Sequence, residues 1–451
     1  MKLNILGRFA ALLLCVFGTH YAQSQNAVGL RSETIGSQLD SFADRILNSR
    51  ENDRAPFADL KGEINSVFFS TPVMLRLIAT QNSLSAVVES AESLRDFQIA
   101  VSTSGGQAKG STAVDGSSNS QTLSAVKSLY DFGAIDAAVD KSKSLMRQSM
   151  ADITEQRSAS LLQLIEARIQ LGFAQQELSL SNAFYEARKE FLHYIEEKRE
   201  LGVSSEAELV RAKAKLYQAE AAMPEAFRKV AAAKSKYEEL FGQTPPNSPV
   251  FTLPSRDLLA INENQIIDDH PVILMAREDL ASANADIDEF RASGNGTFNL
   301  SFRASRIDNV NSDVLERYDS TIEFTRDLGD ARAREANETL LVAARDEYTF
   351  RLEELKRSKA QSVRALKLEL SAAEASLAGQ QSVLEATRLA NRATKDLFAY
   401  DRGSLSDVFR VQEDYVDVLR DVVRARASLQ TTYYSLMHDA GVLLAEFELT
   451  I

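Results

Sequence analysis

Residues 209–237 read LVRAKAKLYQAEAAMPEAFRKVAAAKSKY, and residues 408–436 read VFRVQEDYVDVLRDVVRARASLQTTYYSL. In both stretches, mostly apolar or small side chains recur at alternating steps of three and four residues, and the second series follows the first by 199 positions. The seam consists of Leu209, Ala212, Leu216, Ala219, Met223, Ala226, Val230, Ala233 and Tyr237, then Val408, Val411, Tyr415, Val418, Val422, Ala425, Leu429, Thr432 and Leu436. A seam that repeats every 3.5 residues predicts helices that pack in coiled-coil fashion.

Other short motifs recur at nearly the same offset. TPVML at 71–75 returns as HPVIL at 270–274, YDFG at 130–133 as RDLG at 326–329, and LGVSS at 201–205 as RGSLS at 402–406. Repetition in the same order predicts a duplicated chain. We therefore predict a first repeat at 25–243, a proline-rich linker at 244–262 and a second repeat at 263–451.

Each repeat contains a segment in which apolar and polar residues alternate. Period-two alternation around a polar loop predicts a β-hairpin, at about 97–130 in the first repeat and about 298–327 in the second. The predicted order in each repeat is helix, hairpin, very long helix, tip turn at about 202 or 403, and helix. The proline-free span 133–201 would be about 100 Å long if continuously helical.

Composition narrows the class of protein. The formal net charge is −13, which argues against a nucleic-acid binder, because such proteins neutralise phosphates with basic residues. Residues 1–24 have the basic start, short apolar stretch and small-residue cleavage site of a signal peptide, so we predict export. The single cysteine, Cys15, lies within that segment, which excludes an internal disulfide.

The alternating strands are explained if one face meets lipid and the other meets water. In an exported protein this predicts an outer-membrane β-barrel, where sheets must close. Two hairpins supply four strands, and the smallest membrane barrels have about eight. The chain must then share one barrel with other copies, and a trimer with twelve strands leaves a wider opening than a dimer. A periplasmic coiled-coil structural or adaptor protein is the alternative.

The duplicated order resembles the TolC family of outer-membrane channel components over essentially all of the mature chain. The matching elements are the Pro-Val-x-Leu helix start, the Asp-x-Gly after each hairpin, the Gly turns, and the heptads that end near Gly441. The resemblance implies a mainly α fold with a membrane β-barrel. In this fold a homotrimer forms a twelve-stranded barrel in the outer membrane of a Gram-negative bacterium and a helical tunnel in the periplasm.

The resemblance also implies a function and partners. It implies a passive exit duct of a tripartite efflux pump or type I secretion system, in contact with outer-membrane lipid. The partners would be a periplasmic adaptor, also called a membrane fusion protein, and an inner-membrane ABC or RND transporter.

The candidate site residues lie at the two tip turns. The resemblance places the adaptor-docking tip at Gly202, Ser205, Gly403, Ser406 and Asp407. The candidates for tip gating are Asp401, Arg402, Arg410 and Gln412. From the residues alone, Gly202 and Gly403 are expected to end helices in left-handed conformation, Ser205 with Glu208 forms a capping box, and Ser404 or Ser406 caps the counterpart helix.

No pattern in the sequence indicates catalysis. The mature histidines, His193, His270 and His438, are not in metal-ligand spacing, and there is no phosphate-binding loop or nucleophile elbow. Acidic pairs such as Glu196-Glu197 lie among lysines and arginines and indicate solvated helix faces. We therefore expect no enzymatic activity, no cofactor and no metal.

Overall fold

The computed structural model describes residues 36–48, 54–108, 116–245, 258–260, 267–309, 314–327, 329, 331–400 and 402–449. The predicted signal peptide and most of the predicted linker lie outside the described residues. The helices are α1 (Ser37–Asn48), α2 (Arg54–Val67), α3 (Pro72–Glu92), α4 (Ala134–Glu200), α5 (Glu206–Phe241), α6 (Pro271–Ser293), α7 (Ala331–Ala399), α8 (Leu405–Asp439) and α9 (Leu443–Glu446). The strands are β1 (Gln98–Ala108), β2 (Gly116–Tyr130), β3 (Thr297–Asn309) and β4 (Leu315–Thr325). The expected mainly helical class with antiparallel strands is confirmed.

The chain divides into two compact units. The first, here called the helical unit, comprises the described residues within Met1–Thr71, Ala159–Ile261 and Val363–Ile451. The second, here called the sheet unit, comprises Pro72–Ser158 and Asn262–Ser362. Among the described helices, none carries an apolar run long enough to cross a bilayer.

The sheet unit contains one antiparallel sheet with the strand order β1-β2-β3-β4. Each hairpin pairs its own strands, and β2 pairs with β3, with Ala125 opposite Phe302, to join the two hairpins. Directly opposed residues share a face of the sheet, so the register defines two unlike faces. The apolar face carries Ile99, Val101, Leu123, Ala125, Leu300, Phe302, Ala304, Tyr318 and Ile322. The polar face carries Gln98, Ser102, Thr122, Ser124, Ser301, Arg303, Ser305, Asp319 and Thr321.

The repeated Asp-x-Gly motif forms the link from strand to helix. The Asp131 carboxylate accepts hydrogen bonds from the backbone N–H groups of Gly133 at 3.1 Å and Ile135 at 2.6 Å. Ile135 lies in the first turn of α4, where backbone N–H groups lack partners within the helix, and Gly133 directly precedes that turn. In the second repeat, the Asp327 carboxylate accepts from the Gly329 N–H at 2.9 Å.

In the helical unit, the heptad seam is the buried side of both short helices. Every seam position on α5 and α8 is buried or half-buried, whereas most other α5 positions are exposed. Helix α8 also buries a second series with the same alternating steps. It comprises Leu405, Phe409, Gln412, Val416, Leu419, Val423, Arg426, Gln430, Tyr433 and Met437. Helix α8 therefore packs on two sides, and α5 packs mainly on one.

The second seam of α8 faces α4 and α1. Val416, Leu419 and Val423 share a buried cluster with apolar residues of α1 and with Ala183 and Ala187 of α4. Tyr415 and Val422 of the first seam belong to the same cluster, and the Tyr415 hydroxyl donates to Asp40 of α1 at 3.2 Å. The amphipathic α1 is thus held on the α4–α8 pair.

Candidate functional site at the two helical turns

The first turn joins α4 to α5 at residues 201–205. The Val203 N–H donates to the Lys198 carbonyl at 2.8 Å, and the Gly202 N–H donates to the Arg199 carbonyl at 2.9 Å. Gly202 has φ +75°. These two bonds around a left-handed residue form a Schellman motif, so Gly202 has the expected helix-ending role.

The second turn, between α7 and α8, is built differently. The Arg402 N–H donates to the Leu397 carbonyl at 2.8 Å, which places the helix end before Gly403. Gly403 is not among the glycines with positive φ, so the expectation that it adopts a left-handed conformation is wrong. A Cβ at Gly403 would lie 3.1 Å from the Phe398 backbone nitrogen. Glycine is favoured here because a side chain would crowd the backbone at the end of α7.

Serine and acidic side chains start the helix after each turn. The Ser205 hydroxyl accepts from the Glu208 N–H at 3.2 Å, and the Ser205 N–H donates to the Glu208 carboxylate at 2.9 Å. This confirms the capping box. At α8 the cap is Ser404, whose hydroxyl accepts from the Asp407 N–H at 3.1 Å. Ser406 lies exposed in the first turn of α8.

The caps lower the pKa of their acidic partners. The Ser205 backbone N–H, the Ser204 and Ser205 hydroxyls and the charge of Lys198 hold the pKa of Glu208 below its usual value. Hydrogen bonds from Ser404 and Arg410 hold the pKa of Asp407 below its usual value. Both carboxylates are therefore charged at neutral pH, where they also complement the helix dipole.

An aromatic cluster holds the two turns together. The ring of Phe191 lies 5.3 Å from Phe409 and 5.8 Å from Phe398, and Tyr194 also contacts Phe398. With Ile195, Leu209, Ala212, Leu405 and Val408 these rings form one buried core, here called the tip cluster. The tip cluster joins α4, α5, α7 and α8 directly behind the turns. The turns themselves expose apolar side chains, with Val203 56% and Tyr400 66% exposed.

Behind the tip cluster lies a buried ion cluster that the sequence analysis missed. Arg188 is 1% exposed and lies between the rings of Phe184 and Phe409, 4.7 Å from each centroid. Its guanidinium donates to Glu413 at 3.2 Å, and Lys215 donates to the same carboxylate oxygen at 2.9 Å. Burial lowers the pKa of Arg188 to about 10, although Glu413 opposes the shift. The guanidinium stays charged at neutral pH and links α4, α5 and α8.

The predicted gating residues have different surroundings. Arg410 pairs with Asp407 at 3.4 Å and Asp414 at 3.9 Å, both on its own helix. Arg402 is exposed, and Asp401 lies outside the described residues. The ion pairs of Arg410 are local, so they stabilise the start of α8. Such exposed pairs contribute little to the free energy of folding.

Of the gating candidates that the structure describes, Gln412 is the buried one. It is 1% exposed, and neither atom of its side-chain amide has a hydrogen-bond partner in the described part of the chain. The same holds for Asn391 on α7. An unsatisfied buried polar group costs about 1–3 kcal/mol. Gln412 on α8 and Asn391 on α7 are thus buried polar positions within the helical unit.

The site has the properties of a packed helical junction with exposed turns. In the described residues, no group of three or more His, Cys, Asp and Glu side chains could hold a metal ion. The arrangement offers apolar and charged surface at the turns, two caps, and a core that joins four helices.

The fold defines a class of long-helix proteins with a small amphipathic sheet, and comparison with solved structures identifies similar members. The CmeC outer membrane channel of Campylobacter jejuni matches with a TM-score of 0.74 and 16% identity over 84% of this chain and 86% of that chain. The outer membrane protein VceC of Vibrio cholerae matches with a TM-score of 0.71 and 16% identity over 85% and 96%.

The open state of the MtrE outer membrane channel of Neisseria gonorrhoeae is a further match, with a TM-score of 0.72 and 16% identity over 85% and 89%. No protein-family model and no curated protein matches the sequence. The resemblance to TolC-family channels that the motifs indicate is thus confirmed at the level of the fold.

Proposed function

We propose that this protein is one subunit of a homotrimeric outer-membrane channel of the TolC type, the exit duct of a tripartite efflux pump or type I secretion system. The observation that carries the proposal is the sheet, which has one apolar exposed face, one polar face and two edge strands. On the apolar face Val101 is 76% exposed and Tyr318 is 78% exposed. The similarity to channels of this fold supports the same function.

The edges of the sheet explain the need for other copies. Strands β1 and β4 each have a single neighbour in the sheet, so each presents backbone N–H and C=O groups along one side. In a bilayer these groups must find partners, because there is no water to bind them. Pairing β4 of one copy with β1 of the next satisfies both edges. Three copies close twelve strands, with the apolar face toward lipid and the polar face toward the lumen.

The helical turns supply the docking site in this proposal. Gly202, Ser205, Gly403, Ser406 and Asp407 form or begin the two turns, and the tip cluster fixes them side by side. They would meet a periplasmic adaptor that connects the channel to an inner-membrane ABC or RND transporter. The channel itself would be passive and without enzymatic activity, and its helical tunnel would lie in the periplasm.

Cysteine cross-linking across the sheet edges tests the trimer. The only cysteine, Cys15, lies in the predicted signal peptide. The pair Ser102→Cys on β1 and Thr321→Cys on β4 is expected to give a covalent trimer with a short bismaleimide. The control pair Thr122→Cys and Ser305→Cys joins residues opposed within one chain and is expected to give only cross-linked monomer.

Membrane fractionation separates the proposal from the alternative. The wild-type protein is expected to stay in the outer membrane through high-salt washing and to conduct ions in planar bilayers. Release by salt as a monomer, with no interchain cross-link, would support a periplasmic coiled-coil protein instead. In that case the channel proposal fails.

Photo-cross-linking tests the docking surface. A photoreactive residue at Val203 or Ser406, both exposed at the turns, is expected to capture a helical periplasmic adaptor identified by mass spectrometry. Val203 is used in place of Ser205 because Ser205 caps α5. A photoreactive residue at exposed Lys236, far along α5, is the control, and equal capture there would contradict docking at the turns.

A further inference from the structure

The apolar face of the sheet has limits that can be read from its register. At the end from which α4 leaves, one row comprises Tyr130, Phe298 and Phe324, and the centroids of the two phenylalanine rings lie 4.6 Å apart. Three rows follow, centred on Leu300, Phe302 and Ala304 of β3. The next row contains Arg306 opposite Glu316. The apolar rows therefore end at a charged row on one side and an aromatic row on the other.

A lysine lies inside this band. Lys127 is opposite Leu300, which is in turn opposite Ile322, so its side chain leaves the sheet on the apolar face. The Lys127 ammonium lies 5.4 Å from the centroid of the Phe97 ring. A long lysine side chain can place its charge at the membrane surface while its methylenes stay in the apolar layer. Lys127 thus marks the end of the apolar layer near the helices.

The distance between these limits is short. From Leu300, which is opposite Lys127, to Arg306 strand β3 advances six residues, about 20 Å at about 3.3 Å per residue. A strand tilt of about 40° reduces the height along the membrane normal to about 15 Å. Outer-membrane barrels usually present an apolar band about 25 Å tall. The band here falls short of that height by about 10 Å.

We propose that the sheet of this protein is matched to an unusually thin layer of hydrocarbon, with Lys127 on one boundary and Arg306 with Glu316 on the other. The inference rests on the proposed membrane barrel and specifies the lipid surface that the barrel fits. A bilayer thicker than the band must thin around the protein or cover charged groups, and either change costs free energy. Replacing Lys127 alone by an apolar residue is expected to extend the apolar layer toward the helices, because the next row in that direction is aromatic.

The experiment measures the equilibrium stability of the full-length trimer in phosphatidylcholine vesicles of different acyl length. The wild-type protein is unfolded and refolded in urea in vesicles with lauroyl, myristoyl, palmitoyl or oleoyl chains. Agreement of the unfolding and refolding curves shows that the urea midpoint is an equilibrium property. The urea midpoint is expected to be highest in lauroyl vesicles and to fall as the chains lengthen. Lys127→Leu is expected to move the highest midpoint to myristoyl or palmitoyl vesicles, and Lys127→Arg is expected to keep it in lauroyl vesicles.

The outcomes separate this inference from the proposed function. A wild-type midpoint that is independent of chain length, or highest in palmitoyl or oleoyl vesicles, overturns the thin-layer inference while leaving the trimeric barrel intact. Identical profiles for Lys127→Leu and wild type overturn the role of Lys127 as a boundary. Failure of the trimer to insert in every vesicle overturns the proposed membrane channel itself.

Discussion

Removing the Glu413 carboxylate is the sharpest test of how the turns are supported. Glu413 accepts from the buried guanidinium of Arg188 at 3.2 Å and from Lys215 at 2.9 Å. In Glu413→Ala the Arg188 charge keeps only the Phe409 carbonyl, at 3.4 Å, and two ring faces. Breaking a buried pair from one side costs about 3–5 kcal/mol. The Glu413 side chain is 40% exposed, so water screens part of the pair and we expect about 2 kcal/mol.

Hydrogen exchange measures the loss of stability in Glu413→Ala at the segment of α8 around the substitution. Local opening of α8 exposes the amides around Phe409–Tyr415, and a loss of about 2 kcal/mol corresponds to about 30-fold faster exchange, at about 1.4 kcal/mol per factor of ten. The deuterium uptake of that peptide, followed by mass spectrometry, is therefore expected to accelerate by that factor. Asp417→Ala is the matched control, because Asp417 is exposed and, in the described part of the chain, forms its ion pair with half-buried Arg420 on the same helix. Its effect is expected to stay within about twofold.

A second substitution separates charge from packing. Replacing a buried ion pair by apolar residues is often neutral or stabilising. Arg188→Met in the Glu413→Ala background is therefore expected to restore most of the protection, to within about fivefold of wild type. The reasoning is refuted if Glu413→Ala exchanges no faster than Asp417→Ala. It is also refuted if the double variant is as unprotected as Glu413→Ala alone.

Four further changes probe the turns and the subunit contact. Phe398→Ala leaves a cavity in the tip cluster and is expected to cost about 3–5 kcal/mol, measured as faster protease cleavage at the turns. Gly202→Asn is expected to keep the wild-type melting temperature, because asparagine can adopt the left-handed backbone conformation. Gly403→Asn is expected to lower the melting temperature, because its Cβ would contact the Phe398 backbone nitrogen. Equal melting temperatures for the two variants would contradict the different roles of these glycines. The hydrogen bonds to Glu208 hold its folded pKa below the unfolded value, so its contribution to stability is full above the unfolded pKa, about 4.3, and is lost as pH falls through the lower folded pKa. Hydrogen exchange at the start of α5, corrected for the intrinsic rate, is therefore expected to become faster as pH falls below about 4.3. Tyr217→Asp is expected to lower the trimer fraction in native mass spectrometry.

The sequence predicts most of the secondary structure because local patterns determine it. The heptad seam appears as the buried side of α5 and α8, and alternation locates the strands. The pairing of β2 with β3 could not be predicted, because it joins residues such as Ala125 and Phe302 that lie far apart in the chain. The local pattern of apolar and polar residues gives no information on contacts between distant strands.

Polar residues explain why the second seam of α8 was missed. Its spacing of three and four residues is as regular as that of the first seam, but Gln412, Arg426 and Gln430 interrupt the apolar pattern. A search for hydrophobic periodicity discards such positions. Arg188 was missed for the same reason, since a charged residue on a helix is usually exposed.

The two turns show a different limit. The motifs LGVSS and RGSLS align, and both glycines were expected to have the same conformation. Gly202 ends α4 in the left-handed region, but Gly403 follows the end of α7, where a side chain would crowd the backbone. Glycine is favoured in both environments, so its presence alone cannot distinguish them.

Comparison of the duplicated helices α5 and α8 separates the helix faces that pack within the chain from those that would pack against a neighbouring copy. On α8, Phe409 and Val416 pack in the second seam against α4 and α1. The corresponding residues of α5, 199 positions earlier, are Val210 and Tyr217, which are 57% and 63% exposed. Within one chain, α4 packs on the second seam of α8. If the contact between subunits repeats this arrangement, α7 of the next copy packs on Val210 and Tyr217 of α5. Helix α7 exposes Leu389, which is available for that contact. An acidic side chain in place of the Tyr217 ring would then be buried without a partner in the trimer while remaining solvated in the monomer. The change should therefore act on association and leave the helical content of the monomer unchanged.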